Sequence, residues 1–147
     1  MQELPGAVLF ACSMNAVRSP IAAALMRAYF GHRVFVDSCG VYAGEVDGFA
    51  IAVMDEIGLD LVAHQPKSFA ELDNDFFDLI ISLSPEAQHS AVEMTRTAPI
   101  EVEFWHMPDP SLIDGSRDQR LAGYRALRDR LADKIKARFP TGPLPRF

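Results

Sequence analysis

The sequence has few cysteines, no basic run and no long apolar segment. Only two of its 147 residues are cysteine, which excludes a disulfide framework and favours a reducing, cytoplasmic setting. The apolar run from Ala7 to Cys12 is too short to cross a membrane, and it follows Glu3 instead of the basic start of a signal peptide. The net charge of −6 disfavours nonspecific binding to nucleic acid or to an anionic membrane. We therefore expect neither nucleic acid nor membrane among its partners.

The composition is typical of one soluble globular domain. Hydrophobic residues make up 49% of the chain and charged residues 23%, and the mean hydropathy is +0.05. The sequence contains no internal repeat. Residues 140–147 include three prolines and cannot continue a helix, so we predict a domain over residues 1–139 and an extended tail over 140–147.

Short apolar runs alternate with segments of helical spacing. The predicted strands are residues 6–11, 33–37, 77–83 and 102–105, and the predicted helices are residues 20–30 and 46–57 and segments that begin after Ser84 and Ser116. This alternation predicts an α/β fold, a single three-layer domain with a parallel sheet and helices on both faces. Ligands of such sheets bind beyond the carboxyl ends of the strands, which directs attention to the loops that follow them.

The loop after the first predicted strand has the composition of an anion-binding site. Cys12 ends the strand, Arg18 follows six residues later, and a helix begins at once. The backbone N–H groups of a tight strand-to-helix loop can turn inward around an anion, and the helix N-terminus adds partial positive charge. The sequence therefore predicts a phosphate-binding loop formed by Ser13, Met14, Asn15, Ala16, Val17 and Arg18.

Each polar side chain of this loop suits a step in phosphoryl chemistry. A thiol at the rim of the loop is held as the nucleophilic thiolate by the same field, which makes Cys12 the candidate nucleophile. Arg18 can contact two phosphate oxygens at once, and the Ser19 hydroxyl can donate to the sulfur. Asn15 tolerates the left-handed torsions that such a loop requires. Alternatively, a cysteine at a strand end is an inert apolar residue, but Ser19 and Pro20 after Arg18 favour the reactive loop.

With these residues the chain resembles the low-molecular-weight protein tyrosine phosphatase family, whose fold is shared with arsenate reductases. The resemblance extends from about Ala7 to about Phe139. The family loop has the same spacing from cysteine to arginine, followed by Ser-Pro, although Val17 replaces a frequent second cysteine. The resemblance implies a four-stranded parallel sheet, a cysteinyl-phosphate intermediate, and neither a metal nor a cofactor. It also implies phosphorylated proteins or small phosphomonoesters as substrates.

The resemblance also assigns the supporting residues. Asp109 lies between two prolines after the fourth predicted strand and matches the family's general acid, whereas an ordinary Asp-Pro turn is the alternative. Ser38 and His64 match the residues that hold the loop asparagine, here Asn15. Cys39 is the one other thiol, and we expect a small buried residue there.

Two other functions remain open from the sequence. The thioredoxin-linked arsenate reductases of this fold carry two additional cysteines after the third strand, and the segment from Ser82 to His89 has none. An arsenate reductase that uses a small external thiol needs only Cys12. A noncatalytic domain that senses oxyanions or binds a partner would not need Asp109. Ser111 and Leu112 stand where many family members have aromatic residues, which leaves specificity for phosphotyrosine open, with Tyr42 and Trp105 as possible substitutes.

Overall fold

The four strands form one parallel sheet in the order β2-β1-β3-β4. The computed structural model describes residues 4–72 and 76–139, and the predicted tail 140–147 lies outside them. The strands are β1 (Ala7–Cys12), β2 (Phe35–Gly40), β3 (Leu79–Ser82) and β4 (Glu101–Phe104). The predicted α/β class and the parallel sheet are confirmed.

In the described part of the chain, four α-helices cover the sheet on both faces. They are α1 (Arg18–Phe30), α2 (Gly48–Asp55), α3 (Pro85–Met94) and α4 (Arg117–Arg138), with two short 3-10 helices at Phe69–Glu71 and Pro110–Leu112. As predicted, Ser84 caps α3, with Pro85 in its first turn, and a capping box joins Ser116 to Gln119 at the start of α4. None of the helices in the described part of the chain is long and apolar enough to cross a membrane.

Several predicted boundaries were wrong by a few residues, and β2 differs most. The sequence predicted a strand over 33–37, because Ser38, Cys39 and Gly40 have the composition of a turn. All three residues instead continue the ladder, opposite the last three residues of β1. Pairing with a buried neighbouring strand thus overrides local turn propensity.

Helix α2 is shorter than predicted at both ends. The predicted segment was 46–57, but the Asp47 carboxylate accepts the Phe49 and Ala50 N–H groups and fixes the helix start. The helix ends at Asp55, and Gly58 follows in the left-handed region with φ 79°. Helix α1 begins two residues earlier than predicted, so Pro20 lies within its first turn.

The sheet separates two apolar cores of unequal size. The larger lies beneath α1, α2 and α4 and includes Phe10, Leu25 and Leu131. The smaller lies beneath α3 and includes Leu9 and Ile80. Burial on both faces explains the nearly continuous apolar sequence of β1 and places its carboxyl end in a rigid setting.

Truncation of the larger core tests this packing. Leu131 is fully buried in α4, so we expect Leu131→Ala to lower the free energy of unfolding by about 2–5 kcal/mol. Leu112→Ala is the matched control, because this side chain is 79% exposed and its truncation costs less than about 0.5 kcal/mol. Urea unfolding followed by circular dichroism measures both, and equal losses would contradict the assignment of the core.

Candidate active site

The loop from Cys12 to Val17 joins the carboxyl end of β1 to the first residue of α1. In the sheet, β1 lies between β2 and β3. The chain therefore passes from β1 to β2 on one side and later crosses to β3 on the other side. The carboxyl edge beside such a switch of direction is where open α/β sheets bind ligands. The loop that the sequence singled out therefore lies at the expected position.

The carbonyl groups of this loop are all held from outside. The carbonyls of residues 12, 13 and 14 accept from Val41 N, Tyr42 N and Gly44 N. Those of residues 15 and 16 accept from His64 Nε2 and Asp47 N, and all five distances are 2.8–3.1 Å. The Val17 carbonyl accepts from Ile21 N inside the first turn of α1. The segment over residues 41–47 thus runs along the outer side of the loop and fixes its carbonyl oxygens.

This arrangement turns the amide groups of the loop to its inner side. Each peptide unit is planar and trans, so an N–H group points away from the carbonyl of the same unit. The N–H groups of residues 13–17 accordingly face away from the donors that bind these carbonyls, and neither they nor the Arg18 N–H group has an acceptor among the described residues. With the N-terminus of α1 beside them, these groups form a concave set of donors for an anion.

Asn15 ties the loop to three neighbouring segments. Its side chain is fully buried, and its φ of 53° is the left-handed torsion predicted from the sequence. The Nδ2 group donates to Ser19 Oγ at 2.8 Å and to Ser38 Oγ at 3.0 Å, and Oδ1 accepts from Lys67 N at 3.0 Å. His64 Nε2 donates to the Asn15 carbonyl at 3.1 Å. The structure thus brings Ser38 and His64 to Asn15, each through a direct hydrogen bond.

The Cys12 sulfur lies 2.9 Å from Ser19 Oγ and 3.4 Å from the Ser19 N–H group. The Ser19 hydroxyl accepts from Asn15 and can also donate to the Cys39 carbonyl at 3.2 Å. A hydroxyl has one proton, so Ser19 can donate to Cys39 while Cys12 is a thiol and to the sulfur when it is a thiolate. This contact suits a sulfur that changes charge during a reaction.

Arg18 and Asp109 meet on the other side of the sulfur. Arg18 donates through Nη1 to the Met107 carbonyl at 3.1 Å, and its Nη2 lies 3.4 Å from Ser13 Oγ and 3.9 Å from Asp109 Oδ2. Asp109 Oδ1 accepts from the N–H and hydroxyl groups of Ser111. Oδ1 therefore accepts the hydrogen bonds of an Asp-Pro turn, as the alternative interpretation of this segment predicted. Oδ2 faces the Arg18 guanidinium group.

A small pocket of about 90 Å³ opens between these groups. It is lined by Cys12, Met14, Ala16, Val17, Arg18, Asp47, Asp109 and Ser111. A larger cavity of about 550 Å³ lies behind the loop beside His64 and Lys67, and its lining contains no thiol. We place the candidate site in the smaller pocket because it alone of the two combines the sulfur, the guanidinium group and a carboxylate.

Cys39 lies on the opposite face of the sheet from Cys12. It pairs with Ala11 in the ladder, one position before Cys12, and its side chain belongs to the smaller core. Side chains of successive strand residues point to opposite faces, so the two thiols are not directed at each other. Burial raises the pKa of the Cys39 thiol far above its ordinary value, which makes it unreactive.

Sequence reasoning missed the backbone donors that hold the loop, because backbone groups have no residue-type signature. Gly40 is the one clear signal. A Cβ atom at Gly40 would lie 2.6 Å from Asn15 N and 2.5 Å from the Tyr42 carbonyl oxygen, so only glycine fits. Trp105 is buried in the larger core and does not line the pocket, whereas Tyr42 is 60% exposed beside the loop.

Comparison with known proteins identifies the family. The model of the low molecular weight phosphotyrosine protein phosphatase family matches residues 7–140, and the chain belongs to this family. The arsenate reductase of Bacillus subtilis is 27% identical, over 92% of this chain and 96% of the relative. The glutaredoxin arsenate reductase of Synechocystis is 29% identical, over 88% and 92%.

Solved structures give the same result. An arsenate reductase in the phosphate binding state superposes with a TM-score of 0.69 and 25% identity, over 89% of this chain and 94% of that one. An arginine phosphatase from Geobacillus stearothermophilus superposes with a TM-score of 0.73 and 27% identity, over 89% and 88%. The family model and the solved structures thus agree on the family and the fold, and one of these structures is described in a phosphate binding state. The names of the relatives divide between phosphatase and reductase.

Substitution of Asn15 tests the scaffold of the loop. We expect Asn15→Gly to lower the free energy of unfolding by about 1–3 kcal/mol, since three side-chain hydrogen bonds are lost and Lys67 N is left without its acceptor. Asn15→Ala adds the strain of a left-handed torsion and should cost about 1 kcal/mol more. If urea unfolding gives both variants the stability of the wild type, Asn15 does not hold the loop.

Acidification tests the burial of His64. Burial lowers the pKa of His64 below its ordinary value of 6.5, so protonation favours the unfolded chain. The contribution of this histidine to stability is therefore complete above pH 6.5 and is lost as the pH falls through the lowered pKa. We expect His64→Gln to lose less stability than the wild type between pH 7.5 and pH 5, measured by urea unfolding. Parallel pH profiles would contradict this assignment.

Proposed function

We propose that the protein is a cysteine-dependent phosphatase that hydrolyses phosphomonoesters, with phosphotyrosine among the candidate substrates, through a cysteinyl-phosphate intermediate. The observation that carries this proposal is the pairing of one reactive-loop sulfur with a carboxylate across the same small pocket. A loop that only bound oxyanions would need the amides and Arg18 but not Asp109. The second sulfur, Cys39, faces the opposite core, so Cys12 has no internal thiol partner among the described residues.

In the first step the Cys12 sulfur attacks phosphorus, and the bond to the leaving oxygen breaks. The electron pair of that bond goes to the leaving oxygen, which takes the proton of Asp109. The loop amides and Arg18 bind the remaining phosphoryl oxygens, whose charge they stabilise in the transition state. The Ser19 hydroxyl donates to the sulfur before the attack.

In the second step water attacks the cysteinyl phosphate. Its proton passes to the Asp109 carboxylate, the bond between phosphorus and sulfur breaks, and the electron pair returns to Cys12. The Ser19 hydroxyl at 2.9 Å then stabilises the departing thiolate. Inorganic phosphate is released, and Asp109 is again protonated for the next cycle.

The mouth of the pocket supports a leaving group with an apolar part. Met14, Tyr42 and Leu112 are exposed beside the reactive loop and the Asp109 turn. Tyr42 is exposed in the segment that binds the loop carbonyls and is the candidate aromatic surface for a phenyl ring, although Ser111, which lines the pocket, is small and polar. The similarity to an arginine phosphatase makes phosphoarginine a second leaving-group class to assay beside phosphotyrosine.

Arsenate reduction with an external thiol is the second candidate, because both reported relatives are named arsenate reductases and one name includes glutaredoxin. The Cys12 sulfur would displace water from arsenate and form a sulfur–arsenic bond. One glutathione thiolate would then attack the Cys12 sulfur, and the electron pair of the sulfur–arsenic bond would go to arsenic. Arsenite leaves with two electrons, and Cys12 is left in a mixed disulfide with that glutathione. A second glutathione then restores the Cys12 thiol and forms oxidised glutathione.

Hydrolysis of p-nitrophenyl phosphate and phenyl phosphate tests the phosphatase. We expect Cys12→Ser to abolish turnover and Asp109→Asn to lower kcat by about 10²–10⁴-fold on phenyl phosphate. The loss should be smaller on p-nitrophenyl phosphate, because nitrophenolate leaves without a proton. Formation of arsenite from arsenate and glutathione is measured in parallel.

Matched variants serve as controls. Cys39→Ala removes the thiol on the opposite sheet face, and Asp114→Asn changes an exposed carboxylate five residues from Asp109; both should keep wild-type turnover. Absence of turnover on every phosphoester, together with arsenite formation that depends on Cys12, would establish the reductase instead. Full activity of Cys12→Ser would refute both candidates.

A further inference from the structure

A third cavity, lined by two arginine side chains, lies next to the pocket that contains Cys12. It has a volume of about 410 Å³ and is lined by Asp47, Gly48, Phe49, Arg117 and Arg120. Asp47 also lines the pocket that contains Cys12 and Asp109, so the two cavities share this residue. We call the cavity between Phe49 and the two arginines the flanking cavity.

Both guanidinium groups of the flanking cavity stack on one aromatic ring. The central guanidinium carbon of Arg120 lies 4.5 Å from the centre of the Phe49 ring, and that of Arg117 lies 5.4 Å from it. Stacking on the ring fixes the planes of the two groups and leaves their N–H edges for other partners. Gly48 adds no side chain that would fill the space, since a Cβ atom there would have no neighbour within 4 Å.

Neither arginine has an acidic partner among the described residues. The ion pairs of the described chain involve Lys67 and other arginines, and the Nε atom of Arg120 is buried without a hydrogen-bond partner there. A buried donor without an acceptor costs free energy, so native proteins rarely leave one without a reason. Two close like charges that share one ring repel each other, and an anion bound between the two guanidinium groups would relieve this repulsion.

The acidic residue of this cavity is already fully engaged. Asp47 accepts from Phe49 N and Ala50 N through Oδ1, and from the Tyr124 hydroxyl through Oδ2 at 2.9 Å. Its carboxylate therefore holds the start of α2 and the side of α4, and it forms no ion pair with either arginine among the described residues. The N-terminus of the 22-residue helix α4, at Arg117, adds partial positive charge to the same side.

We propose that the flanking cavity is a subsite for the carboxylate of an acidic residue close to the phosphorylated residue of a peptide substrate. The proposal rests on the phosphatase proposed above, because the two sites share Asp47 and would bind two parts of one substrate. Arg120 and Arg117 would donate to the carboxylate, and Phe49 would hold their planes. The protein carries a net charge of −6, so a preference for acidic peptides must come from a local group of cations.

Phosphotyrosyl peptides that differ only in their flanking residues test this subsite. The matched set has Glu, Gln or Lys on both sides of phosphotyrosine, and kcat/KM is measured for the wild type, for Arg117→Gln/Arg120→Gln and for Arg130→Gln. Arg130 is an exposed arginine on the same helix outside the flanking cavity, so its variant is the control. p-Nitrophenyl phosphate has no flanking residues, so its turnover depends only on the pocket that contains Cys12.

We expect the wild type to prefer the Glu peptide over the Gln peptide by about tenfold, as for one charge-assisted hydrogen bond. The double Gln variant should lose this preference and keep turnover of p-nitrophenyl phosphate within about twofold, and Arg130→Gln should keep both. Arg117→Glu/Arg120→Glu should prefer the Lys peptide. A variant that is merely misfolded cannot reverse the preference, which separates recognition from structural damage.

Two results would overturn the subsite. One is equal kcat/KM of the wild type for the Glu and Gln peptides while p-nitrophenyl phosphate is turned over. The other is a preference for the Glu peptide that persists in both double variants. Absence of turnover on every substrate would instead refute the proposed phosphatase, so the two failures are distinguishable. A preference by the wild type for free bisphosphate compounds over all peptides would assign the cavity to small anions and also refute the peptide subsite.

Discussion

The site depends on one constraint, that every carbonyl from Cys12 to Ala16 is bound on the outer side of the loop. Peptide planarity then directs the amide N–H groups to the inner side. An isolated loop would not keep so many dipoles parallel, because the N–H groups repel one another without an anion. The 41–47 segment and His64 supply the outer contacts, and the ladder between β1 and β2 holds that segment beside the loop.

Arg18 and Ser19 are held beside this loop by contacts with neighbouring segments. Arg18 is nearly buried and anchored by the Met107 carbonyl, so its position is fixed by the loop that carries Asp109. Ser19 lies between Cys12, Asn15 and the Cys39 carbonyl and connects the sulfur to the scaffold. These contacts keep the reactive groups in place before substrate arrives, which is the main contribution of a protein to phosphoryl transfer.

The sequence was sufficient for the architecture and for the position of the loop between β1 and α1. Cys12, Arg18 and Asn15 could be selected because their chemistry is specific to side chains, and the buried strand before them and the helix after them have strong periodic signals. The end of β2 could not be predicted, since Ser38 and Gly40 resemble turn residues until the pairing with β1 is known. The contacts of Val41, Gly44 and Lys67 involve backbone N–H groups, so the residue types at these positions do not indicate them. The flanking cavity was missed for a related reason, because Phe49 and Arg120 are distant in sequence and meet only through tertiary packing.

Alkylation of the thiols by iodoacetamide, with and without phosphate, tests the central claim most directly. We predict that Cys12 reacts and that Cys39 stays protected in the native protein. We also predict that phosphate lowers the alkylation rate of Cys12 and that this effect saturates as the phosphate concentration rises. Mass spectrometry of the digested protein assigns each modified residue. A rate at Cys12 that is independent of phosphate would contradict an anion-binding loop around this sulfur.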